Sequence, residues 1–99
     1  MGHRSAELRS LALHRAVAAR LTPALLQEAL ARLAWAEHAG TTHPRYLAAW
    51  RALLAEPVAV VAAALVRDDE HMRALRQTTP FVGVLSPQER WRVLAEARS

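Results

Sequence analysis

The side chains that could do chemistry in this sequence are five histidines, nine carboxylates and thirteen basic groups, every one of the last an arginine. Only His38 and His43 stand close together, with Glu37 beside the first. A metal-binding helix presents ligands at i and i+4 on one face, whereas this pair straddles Gly40, where a helix should end. The spacing predicts surface histidines, with His43 helping to cap the next helix, and no metal site. Asp68-Asp69-Glu70 reads as a helix start, where carboxylates meet the positive end of the helix dipole. No nucleophile elbow, phosphate-cradling glycine loop or zincin pattern occurs. With no cysteine there is no thiolate nucleophile, thiolate metal site or disulfide. The expectation is a non-enzymatic protein with no catalytic residue, metal or cofactor.

The elements that must position any binding surface follow from composition and punctuation. Ninety-nine residues make one domain, spanning 1–99. The chain is 53% hydrophobic but only 5% aromatic, so much of its apolar content is alanine and leucine, which favour helix. A helix is expected from about Ala6 to Arg20, with Ser5 as its N-cap. Thr22-Pro23 opens a second, whose Leu26, Leu30, Leu33 and Ala34 form an apolar stripe and which Gly40 ends. Thr42-His43-Pro44 opens a third, with Leu47, Trp50 and Leu54 on one side and Tyr46 beside them. Glu56-Pro57 interrupts it. Val58 to Val66 is apolar all round, predicting a fourth helix buried on every side, with a strand as the minor alternative. Asp68 and Asp69 cap a fifth through about Gln77. Thr78 to Leu85 has no helical spacing and is punctuated by Pro80 and Gly83. Ser86-Pro87-Gln88-Glu89 is a capping box, the strongest local signal, and opens a last helix carrying Trp91 and Leu94 inwards to about Ala97. The fold class is therefore all-α: a small orthogonal bundle of about five or six helices with one irregular apolar segment before the last.

Charge and hydropathy narrow the partners. A net charge of +4 permits an acidic partner, either nucleic acid or an acidic protein surface. Arg4, Arg9, Arg15 and Arg20 fall on two sides of the first helix and make no single basic stripe, so a solvated face is the plainer account. The longest apolar run, Val58 to Val66, is far short of the roughly 20 residues that cross a bilayer. Met1-Gly2-His3-Arg4-Ser5-Ala6 has neither the apolar stretch of a signal peptide nor the Ser or Thr of a myristoylation site. A cytoplasmic protein with no membrane association is expected.

Two binding surfaces compete. The segment Phe81-Val82-Gly83-Val84-Leu85 is too apolar for an ordinary surface loop, and Trp35, Trp50, Trp91 and Tyr46 supply interface-prone side chains. Packed across the helices, the segment would leave its exposed remainder to a protein partner. The partner-binding set is Arg73, Arg76, Phe81, Val82, Val84 and Trp91. The alternative is a helix-turn-helix DNA-binding regulator. Ala36 and Gly40 have the spacing of such a turn, and the second helix would aim Arg45, Ala48 and Arg51 outwards. Thr41 stands where an apolar residue is usual, and Tyr46 and Trp50 sit awkwardly in a recognition helix.

The stretch ALRQTTPFVGVLSPQERWRVL, ending at Leu94, resembles the C-terminal part of small helical proteins of GC-rich bacteria, some of which are antitoxins encoded beside a toxin gene. The resemblance covers about a fifth of the chain. It implies that Arg76, Phe81, Gly83, Pro87 and Trp91 form a recurring structural corner. It also implies stoichiometric inhibition of a cognate toxin, with arginines meeting the toxin's acidic metal-binding carboxylates. A homo- or hetero-oligomer would follow.

Overall fold

A computed structural model describes residues 2–98 of the chain; Met1, Ser99 and the side chain of His3 lie outside the described set. It is an all-α bundle of six helices: α1 Gly2–Ala19, α2 Pro23–Ala39, α3 Pro44–Leu54, α4 Val58–Leu65, α5 Glu70–Arg76 and α6 Pro87–Ala97. No strand occurs among the described residues.

The boundaries are set where the side chains can satisfy orphan backbone groups. Thr22 accepts from the Leu25 amide ahead of Pro23. His43 does the same for Arg45 through Nδ1, at 3.1 Å, ahead of Pro44. Asp69 accepts from the Met72 amide. Gly40 closes α2 in the left-handed region at φ 70°, while the Thr41 amide reaches back to the Ala36 carbonyl. Ser86 and Glu89 complete the reciprocal capping box at α6.

Helix α1 packs on α4, α5 and α6, α2 packs on α3, and α5 lies against α1, α3 and α4. Trp50 is fully buried at the centre with Leu65, Met72, Leu75 and Val61. Its indole meets the Phe81 ring edge-on at 6.0 Å between centroids. The indole N–H donates to the Thr78 hydroxyl at 3.1 Å, which in turn donates to the Leu75 carbonyl. The one polar atom of the tryptophan is thus satisfied inside the core.

Three expectations need correcting. Helix α1 starts at Gly2, so Ser5 is a helical residue and not its cap. Helix α4 is not enclosed: Val61, Ala64 and Leu65 are buried, while Val60 is 46% exposed. Trp91 points outwards at 73% exposure, and α6 contributes no fully buried residue. The helix packs on α1, with Val93 and Leu94 partly buried.

Candidate functional site

The segment 77–86 crosses the bundle between α5 and α6, and its anchors decide which side chains reach the surface. Pro80 and Phe81 are buried. Thr79 is tied to α1 through His14, which is itself buried. His14 Nδ1 lies 2.7 Å from the Ser10 carbonyl and Nε2 lies 2.8 Å from the Thr79 hydroxyl. A carbonyl only accepts, so Nδ1 carries the proton and Nε2 accepts from Thr79. The Thr79 oxygen also accepts from the Phe81 amide at 3.2 Å. This chain of bonds pins the first half of the crossing. The second half turns outwards at Gly83, whose φ of 81° a residue with a Cβ would adopt only under strain.

A groove of about 710 Å³ opens beside this crossing. Helix α2 contributes Trp35 and Arg32 to its lining, the crossing segment contributes Val82, and Thr41, Thr42 and Thr79 add hydroxyls. Trp35 is 67% exposed and Val82 is 57% exposed. The buried face of α2 is Leu26, Ala29 and Leu33, and Trp35, two residues past Leu33, projects from the opposite side at 3.6 residues per turn. That periodicity was the signal in the sequence that could have placed Trp35 outside; the part played by Arg32 had no local signal.

The six residues expected to bind a partner do not form one surface. Arg76 is 3% exposed and donates to the carbonyls of Leu65 at 3.1 Å and Arg67 at 2.7 Å, closing the end of α4. Phe81 is core, and Val84 is partly buried against it. Arg73 is paired with Asp68 at 3.0 Å. Val82 remains at the groove, whereas Trp91 lines a separate shallow depression with Pro87, Gln88 and Arg92. The interior positions of Arg76 and Phe81 remove them from any contact surface.

The helix-turn-helix set fares differently. Ala48 is exposed. Arg51 turns towards α2 and makes a two-pronged pair with Glu37, at 2.8 and 3.1 Å. The hydrogen bond and charge of Arg51 hold the Glu37 carboxyl below its ordinary pKa, so that carboxylate stays charged beside the would-be reading face. Arg45 lies over its neighbour's ring, 4.8 Å from the Tyr46 centroid, and donates to the Tyr46 hydroxyl at 2.8 Å. Two of the three expected DNA contacts are therefore engaged within the protein. No cluster of three or more His, Cys, Asp or Glu that could hold a metal occurs among the described residues.

Two titrations bear on the crossing segment. Burial pulls His14 below its ordinary pKa of 6.5, and the nearby Arg76 charge acts the same way, against the opposing bond to Ser10. The unfolded chain therefore takes up this proton first, and stability falls as pH drops below about 6.5. Glu89, bonded to Arg20 and to the Ser86 amide, is lowered to about 2. Its contribution is complete above its ordinary 4.5 and disappears as pH falls towards about 2. Melting temperature followed by circular dichroism should show two successive acid-side declines. His14→Gln should remove the one nearer neutrality and leave the lower one.

No helix among the described residues is long and apolar enough to cross a membrane. Comparison with protein-family models, with curated proteins and with solved structures finds no match to this chain.

Proposed function

We propose that this chain is a non-catalytic protein-binding module that seats an apolar side chain of its partner between Trp35 and Val82. The observation that carries this reading is the pair itself: two apolar side chains, both mostly in solvent, that line one groove of about 710 Å³. Tryptophan is among the side chains enriched at the energetic centres of protein interfaces. The resemblance of the C-terminal stretch makes an antitoxin-like inhibitor of a bacterial protein the form of the reading we favour. The contacts would then come from Trp35, Val82 and the unpaired Arg32, since Phe81 and Arg76 serve the fold.

The test is purification of the tagged protein from its native host, in wild-type and Trp35→Ser forms. One stoichiometric protein partner, resistant to salt and nuclease, is expected with the wild type. The exposed Trp35→Ser change should alter folding stability by no more than about 0.5 kcal/mol. It should weaken the complex roughly 30-fold, as loss of a central tryptophan does. Retention of salt-sensitive nucleic acid with no protein would favour the DNA-binding alternative. A partner held equally by both forms would place the interface elsewhere.

A further inference from the structure

We infer that the segment seated in this groove is acidic, and that Arg32 together with the open amides of Val82 and Gly83 receives its carboxylate. This rests on the protein-binding reading and adds the chemistry of the partner. Five arginines are already engaged within the protein. Arg20, Arg51, Arg67 and Arg73 are each paired with a carboxylate, and Arg76 is spent on backbone carbonyls. Arg32 has no ion pair and no hydrogen bond among the described residues.

Its position makes that lack informative. Glu28 stands one turn earlier on the same helix, in the order that favours an i, i+4 pair. No ion pair forms between them. Instead the Arg32 guanidinium lies across the crossing segment, its Nη2 3.2 Å from where a Cβ on Gly83 would be. Glycine at 83 therefore does two things: it permits the outward turn, and it leaves the space in which the cation rests. Arg32 borders both the Trp35 groove and the adjoining depression, whereas Glu28 borders only the latter.

The same turn offers more donors. Residues 82 and 83 form the corner of a tight turn, and the amides of Val82 and Gly83 are exposed there with no hydrogen bond within the described chain. A guanidinium fork beside unpaired N–H groups, with Glu28 bordering the adjoining depression but not the Trp35 groove, presents donors of the kind that recognise carboxylates. With Trp35 and Val82 adjacent, the matching ligand is a peptide that alternates apolar and acidic side chains.

Fluorescein-labelled, end-blocked peptides test this directly by anisotropy: Asp-Leu-Asp-Leu-Asp-Glu against Asn-Leu-Asn-Leu-Asn-Gln, at low salt. The acidic peptide should bind about tenfold more tightly, in keeping with charge-assisted hydrogen bonding. Arg32→Gln should reduce it to the level of the amide peptide. Arg92→Gln, which removes the same charge beside Trp91, should not, and Trp35→Ser should abolish both interactions. Equal affinity for the two peptides, no binding of either, or equal losses in Arg32→Gln and Arg92→Gln would overturn the inference. Binding that needs Trp35 but ignores Arg32 and peptide charge would sink the acidic-partner inference alone and leave the protein-binding reading standing. Acid-dependent binding untouched by Trp35→Ser would instead remove the groove from the account.

Discussion

Phe81→Asp is expected to unfold the protein at room temperature, a collapse of the far-ultraviolet circular dichroism signal rather than a loss of binding alone. Phe81 is 7% exposed and meets the central Trp50 edge-on. Truncating a buried phenylalanine costs about 3–5 kcal/mol, and an unpaired carboxylate in that position adds a desolvation penalty of several more. A domain of this size has roughly 5–15 kcal/mol in total, so the single change consumes most or all of it. Phe81→Leu separates packing from polarity. It should stay folded, at a cost of about 1–2 kcal/mol, because the volume is nearly kept. A folded Phe81→Asp protein would mean that the crossing segment can leave the core without loss, contrary to the packing described.

Arg76→Met should give the second-largest effect, a loss of about 3 kcal/mol. Methionine keeps much of the buried stem but removes the two donors that close the end of α4. Hydrogen bonds from a charged group contribute about 1.5–3 kcal/mol each, less what the released carbonyls regain from water. The melting temperature should fall by roughly 12–24 °C for a domain this size. Burial lowers the Arg76 pKa, yet a guanidinium keeps its proton in any protein, so the charge is present throughout. Asp68 and Asp69 supply the nearby negative potential. Arg73→Met is the control: that side chain makes an exposed pair with Asp68, and its loss should move the melting temperature little. Equal effects from the two variants would contradict the assignment of Arg76 as the internal cap.

The contrast between these two arginines shows where sequence reasoning stopped. Helix ends were legible, because caps are local: Thr22-Pro23, Gly40, His43-Pro44 and the Ser86–Glu89 box all act within a few residues of themselves. So was the irregular crossing, from Pro80 and Gly83. Which of Arg73 and Arg76 turns inwards was not legible, since the answer depends on α4 bringing its carbonyls to α5 from elsewhere in the chain. Trp91 misled for a related reason. An aromatic on an amphipathic helix usually marks the buried face, but α6 packs on α1 with Val93 and Leu94 partly buried and the indole left in water. The groove was only half legible. Val82 was named from composition, whereas Trp35 needed the stripe of α2 to be followed to its opposite side, and Arg32 needed Gly83 to be placed next to it in space.

The most direct measurement is site-specific photocrosslinking in the native host, with a benzophenone side chain replacing Trp35 in one strain and Ala48 in another. Both positions are exposed, one in the groove and the other on the outward face of α3. The account predicts a discrete protein adduct from position 35, with position 48 silent. Crosslinks to nucleic acid from position 48, with none from position 35, would contradict it.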